Sequence, residues 1–346
     1  MVSLDAMGPA VTRILKGNMG LRMGERVLVV NDIAAASDWR RMPPAILADM
    51  SRRSILARIV ADTARESFPE SPVDFLTYPC TGRNGVEPPA NVAGAMRSAD
   101  VVLAITTFSI SHTDAREAAT RLGKRLASMP SVEPEMLHPE GPVSVSVDVI
   151  RSGTETFAAV LTRGSAVTLT TAAGTRLEMS LEGRKGEADT GSLSSPGAWG
   201  NLPAGEAFIA PLEGTANGRV VMEKGWHPGL KEEMTISFKD GLVVAVEGGG
   251  HVGDEFRKVL DLEDDSPVLR ARRNLAELGI GTNPNARRPD NVLEAEKIKG
   301  TVHVAIGDNS HMGGRVAADM HEDFVLRNPT LVVDGRAVIK DGVWSI

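Results

Sequence analysis

The chain has 346 residues, enough for two domains, with 24% charged and 42% hydrophobic residues, the balance of a soluble globular protein. Its net charge of −7, and basic pairs such as Arg272-Arg273 that stand beside acids rather than in a patch, exclude a general nucleic-acid binder. One cysteine, Cys80, precludes a disulfide within the chain and points to a reducing compartment; with no apolar run of the roughly 18 residues that span a bilayer and no signal-peptide pattern, the expectation is a cytoplasmic protein that does not engage membranes.

In chain order, "RVLVV" (Arg26 to Val30) is a short apolar run that reads as a buried strand. "AILADMSRRSILARIVADTARESF" carries apolar residues at helical spacing, "VDFLTYP" and "ADVVLAIT" read as strands, and "HTDAREAATRLGKRLASM" reads as an amphipathic helix with Thr113 as N-cap. Strand and helix in turn predict a mostly parallel sheet flanked by helices. "VSVDVIRSGTETFAAVLTRG" closes this half with a further helix. The expected α/β domain covers residues 1–164.

The texture changes near Ser165. "SAVTLTTAAGTRLEMSLEG" alternates with period two around Ala173-Gly174, and Asp-Gly hairpin signals follow at Asp240-Gly241, Asp334-Gly335 and Asp341-Gly342. The second domain, residues 165–346, therefore reads as β-rich α+β, mainly antiparallel, with occasional helices such as "DEFRKVLDL". "RKGEADTGSLSSPGAWG" is rich in glycine, serine and turn residues and reads as a loop.

Several familiar patterns fail. "GGGHVG" (Gly248 to Gly253) matches the dinucleotide-binding glycines, but its strand is the second arm of a hairpin, so the required β-α-β unit is missing; it reads as a glycine-rich helix entry. "HEDFV" opens like the helical zinc-protease motif, yet the residue four beyond His321 is Val325. The sequence has no P-loop, no nucleophile-elbow serine and no Cys-x-x-Cys pair, and Cys80 reads as a buried small residue.

A scattered set of polar residues is more informative. Glu206 opens an apolar run in "NLPAGEAFIAP"; taken alone it is a surface acid. Glu277 lies within "LAELGIG", where a carboxylate must be hydrogen-bonded, metal-bound or paired, for instance with Arg272 or Arg273. In "GTVHVAIGDN", strand periodicity puts Val302, Val304 and Ile306 on one face and Thr301, His303 and Ala305 on the other. In "DMHEDFV" the same periodicity puts His321 and Asp323 on one side, as two ligands of a cation or as a His-Asp hydrogen bond. Together, two histidines and three carboxylates can hold two divalent ions, with one carboxylate bridging.

At these residues the ordered series "NLPAGE…GTANG…AELGIGTNP…EK…GTVHVAIG…HED" resembles the thermophilic-type metallo-aminopeptidases, the aminopeptidase T or leucyl aminopeptidase group, over residues 165–346. The resemblance implies metal ligands at Glu206, Glu277, His303, His321 and Asp323, two divalent ions (zinc, cobalt or manganese), a homodimer, and an N-terminal domain that helps wall the site. It implies a hydrolase that removes N-terminal residues from peptides through a metal-activated water, with Glu277 or Glu206 as proton shuttle. The group's tyrosine near the metals is missing; Ser310 or His311 stands in its place, and His311 is a candidate extra ligand or proton donor. Two alternatives stand beside this reading: an iron(II) dioxygenase opening hydroxylated pyridine rings on the same fold, and a non-catalytic, metal-stabilised binding protein. In the dioxygenases the resemblance places a histidine where Glu277 stands and loses the acid of "PAGE" and the histidine of "GTVH". Retention of Glu206, Glu277 and His303 here favours the aminopeptidase.

Overall fold

A computed structural model describes residues 4–346, which divide into two compact units. Of the described residues, the first takes in those up to Val149 and Gly191–Ala204, the second Ile150–Thr190 and Gly205–Ile346. The division thus falls about one helix earlier than the 164/165 boundary expected from composition, and part of the glycine- and serine-rich segment returns to the first unit.

The first unit is built on a five-stranded sheet in the order Val73–Pro79, Val27–Ile33, Val101–Ala104, Arg125–Ser128, Trp199–Asn201, with every pairing parallel. Parallel neighbours need crossovers, and helices Pro44–Ser67, Ala90–Ser98 and Asp114–Arg121 supply them. Leu28, Val30, Val102, Ala104 and Leu126 pack with Val92, Met96 and Ala119 into one core. Thr113 caps the last of these helices, its hydroxyl accepting from the Arg116 amide at 3.2 Å. One element differs from the sequence reading. The helix expected to run to Met129 stops at Arg121, because Gly123 turns the chain (φ 80°) and Arg125–Ser128, buried throughout, enters the sheet as a strand.

The second unit holds two antiparallel sheets. One has eight strands, from Leu242–Gly248 at one edge to Val343–Trp344 at the other. The other has five, in the order His321–Leu326, Val302–Gly307, Leu275–Gly281, Glu206–Ile209, Glu187–Asp189. Residues from both, including Leu169, Leu177, Val220 and Ile236 of the larger sheet and Leu278, Ile280, Val304 and Phe324 of the smaller, share one core with Phe157 and Leu161 of the helix Val147–Arg163. All three Asp-Gly pairs form hairpin turns with positive φ at both residues (for Asp240-Gly241, 50° and 79°), the geometry a two-residue turn needs to match strand twist. The glycines of "GGGHVG" lead from a hairpin arm into the helix Gly250–Leu260, so no β-α-β unit forms there. Among the described residues no helix is long and apolar enough to cross a membrane.

Candidate metal centre

The five-stranded sheet of the second unit has one face in the core and one face given to polar chemistry. Leu278, Ile280, Val302, Val304, Ile306, Phe324 and Leu326 alternate into the core. The intervening positions carry Glu277, His303, His321 and Asp323, while Glu206 pairs opposite Gly281. Directly opposed residues of an antiparallel pair lie on the same face. Glu277, Ala305 and Asp323 form one row across three strands, His303 faces Gly279, and His321 faces Gly307. Each large polar group therefore has an alanine or glycine neighbour, which leaves room for the side chains to converge. At Gly279 this is obligatory: a Cβ there would stand 1.9 Å from His303 Nε2.

Glu277 is the hub. Its Oε1 lies 3.3 Å from His303 Nε2 and its Oε2 3.1 Å from His321 Nε2. His321 Nε2 is 3.6 Å from Asp323 Oδ1, and His303 Nε2 is 3.4 Å from Glu206 Oε2. Two overlapping sets of donor atoms result, each within 4.8 Å of one another: Glu206, Glu277 and His303, and Glu277, His321 and Asp323. The arginines that the sequence offered as partners of Glu277 are engaged elsewhere, Arg272 with Asp319 and Arg273 with Asp265.

The tautomer of His321 is fixed. Its Nδ1–H donates to the Asp308 carbonyl at 2.7 Å, so Nε2 meets the Glu277 carboxylate as an N–H donor in the imidazolium form, and loss of that proton leaves Nε2 as the ligating nitrogen, the arrangement that orients metal-binding imidazoles. Glu206 Oε2, Asp323 Oδ1 and His303 Nδ1 are buried without a hydrogen-bond partner. Three such atoms in one cluster fit a cation as the missing partner of the two carboxylate oxygens. Electrostatics agree. Burial pushes Glu277 toward the neutral acid, but hydrogen bonds from His303 and His321 outweigh it and hold the carboxyl well below its usual range. Burial also disfavours the charge on His303, yet Glu277 and Glu206 raise its pKa to about 9. The cluster attracts positive charge, which a divalent ion supplies on displacing those protons.

His311 belongs to neither donor set. Its Nδ1 bonds Asp308 Oδ2 at 2.5 Å, and its ring meets that of His321 edge-on at 5.6 Å between centroids. The sequence reading assigned no role to Lys297, Glu296, Asp189 or Asp308. Lys297 Nζ is bonded to Glu206 Oε1 and lies 2.8 Å from Glu296 Oε1 and 3.8 Å from Asp189 Oδ2. The available signal is the "EK" pair of "LEAEKI", whose burial the local sequence does not reveal.

The fold and the centre describe a two-unit protein with a buried donor cluster that could hold a metal ion, and comparison with known proteins narrows the class. The chain belongs to the 2,5-dihydroxypyridine 5,6-dioxygenase (NicX) family, whose model matches residues 17–345. It is 25% identical over 166 residues to the 2,5-dihydroxypyridine 5,6-dioxygenase of Pseudomonas putida KT2440, a match covering 44% of this chain and 46% of that relative, less than half its length. Among solved structures, the 2,5-dihydroxypyridine dioxygenase of P. putida KT2440 matches with a TM-score of 0.73 at 19% identity, over 99% of this chain and 98% of that one. Wild-type AmpT of Thermus thermophilus matches with a TM-score of 0.67 at 16% identity, over 99% of both chains. At these identities the structural likeness shows a shared fold.

These findings overturn the aminopeptidase expectation, and with it the hydrolase and protease assignment. The physical reason is that both kinds of relative share the fold along the whole chain, so motifs that lie on the common sheet report the scaffold. Retention of Glu206, Glu277 and His303 therefore does not identify the reaction.

Proposed function

We propose that this protein is an iron(II)-dependent dioxygenase that opens the ring of a small hydroxylated nitrogen heteroaromatic of the dihydroxypyridine class. Membership of the dioxygenase family over residues 17–345 carries this reading. The set Glu277, His321 and Asp323 supports it with one imidazole nitrogen and two carboxylates, donors that suit iron(II) or manganese(II). The bound metal would supply open positions at which substrate and oxygen meet.

The chain's own residues do the rest. The Asp308 carbonyl holds His321 in its ligating tautomer. Asp308 Oδ2 accepts from His311 Nδ1 and so orients that imidazole beside His321, as the candidate proton-transfer group. Glu277 is shared with the second donor set, Glu206 and His303, so the centre has donors for one ion or two.

The test is direct. Metal-free protein is loaded anaerobically with iron(II) and given 2,5-dihydroxypyridine and its isomers, with oxygen uptake followed at an electrode and labelled oxygen traced into product. Uptake with both oxygen atoms retained in the product is expected, and it should vanish with a chelator. No uptake with iron(II) or manganese(II) on any isomer would sink the proposal. Metal analysis of the same preparation counts ions per chain, and light scattering tests the homodimer.

A further inference from the structure

Lys297 is the least expected group near the centre. Its side chain is only 1% exposed, and the described residues surround its ammonium with three carboxylates. A buried ammonium persists only when paired and hydrogen-bonded. The backbone holds it firmly: the Lys297 amide donates to Glu294 O at 3.0 Å, and its carbonyl accepts from the Asn283 amide at 2.8 Å.

Of the three carboxylates, only Glu206 also belongs to a donor set, and its oxygens are divided. Oε1 is bonded to Lys297. Oε2 is buried, faces His303 Nε2 at 3.4 Å and has no hydrogen-bond partner. A lysine that merely neutralised Glu206 gives no reason for Oε2 to be buried without a hydrogen bond, beside the His303 ring and within reach of the Glu277 carboxylate. Glu296 and Asp189 do not enter either donor set; they hold the ammonium.

We propose that Lys297 is a positioning residue: caged by Glu296 and Asp189, it fixes Glu206 Oε1 so that Oε2 is presented with Glu277 and His303 as a second cation subsite. The inference rests on the metal-dependent reading above and extends it to a group that never touches the ion. Lys297 acts through Glu206 alone, much as outer partners of ligating carboxylates do elsewhere.

Cobalt(II) is the probe, because its visible spectrum reports the ligand set. Metal-free wild-type protein is titrated by calorimetry and absorbance, and two binding events are expected. In Lys297→Met, one event should weaken by about 10–100-fold with a changed spectrum, while the other stays within about threefold. Since that variant strands three buried carboxylates, Glu206→Gln is compared with Glu206→Gln/Lys297→Met, in which both charges of the pair are removed. These two should bind cobalt(II) alike, because the lysine has no ligand left to position. Lys297→Met with wild-type stoichiometry, affinity and spectrum overturns the proposal. So does a further loss of affinity from Glu206→Gln to the double variant. Wild-type protein that takes up no cobalt(II) overturns the metal reading itself.

Discussion

Replacing Gly279 by alanine tests the site's geometry with the smallest possible change. The added Cβ would lie 1.9 Å from His303 Nε2, 2.1 Å from Cε1 and 2.7 Å from Cδ2. That is roughly 1.5 Å inside ordinary contact, so the ring must leave its place. His303 is fully buried and cannot swing into solvent. Overpacking of this kind costs about 1–3 kcal/mol. Moving the ring also breaks its 3.3 Å contact with Glu277 and removes the only imidazole of the Glu206 set. Urea unfolding should show the stability loss, and cobalt(II) titration the weakening of one binding event. The control is His303→Ala, in which no ring meets the new methyl, so Gly279→Ala should then cost little. An equal penalty in both backgrounds refutes the reasoning, because the clash would then lie with the backbone.

Three further outcomes follow from other parts of the chain. Thr113→Ala removes the cap of helix Asp114–Arg121 and should lower stability by about 0.5–2 kcal/mol in urea unfolding, without changing metal content. Glu213 holds the 309–315 segment by accepting from the Arg315 amide at 2.7 Å and Asn309 Nδ2 at 3.0 Å and by pairing with Arg184; burial opposes its charge, but these donors win and hold its pKa below the ordinary carboxylate range. A depressed folded pKa means stability present at neutral pH and lost as acid protonates the folded form, so protection factors in this segment, exchange taken relative to the intrinsic rate at each pH, should fall as the pH drops below about 4.3, and Glu213→Gln should flatten that dependence. His311→Gln should leave iron(II) affinity intact while lowering kcat, whereas His321→Ala should lose the metal; a His311 variant with full turnover would remove that histidine from the mechanism.

Local physics made much of the fold legible. The alternation of Val302, Val304 and Ile306 against His303 and Ala305 is visible in the sequence and is the alternation found. The three Asp-Gly turns and the Thr113 cap are equally local. What stayed hidden depends on distant partners. The helix after Thr113 reads on through "GKRLASM" because its apolar residues keep helical spacing, but strand Arg125–Ser128 is claimed by pairing with Val101–Ala104 and Trp199–Asn201, the last some 70 residues further along. Trp199–Asn201 lies in a stretch whose composition signals only a loop, so its place in the first unit has no local signature. Lys297 was missed for the same reason: only the fold brings Asp189 and Glu206 to it.

Donor placement and reaction type are set by different parts of the site. The sheet fixes where donors stand, through period-two placement and small residues opposite the large ones, and a fold of this kind is shared by a dioxygenase and by AmpT. Which reaction runs depends on what surrounds the donors: how many carboxylates meet the ion, what neutralises the remainder, and which group can move a proton. Here Glu277 serves two donor sets, an internal ammonium occupies one oxygen of Glu206, and the Asp308–His311 pair adjoins His321. The carboxylate hub Glu277 adds negative charge to both donor sets, which disfavours an anionic ligand beside them. A chain that retains its carboxylates while belonging to a dioxygenase family must offset that charge locally. Lys297 supplies one fixed positive charge beside the donors.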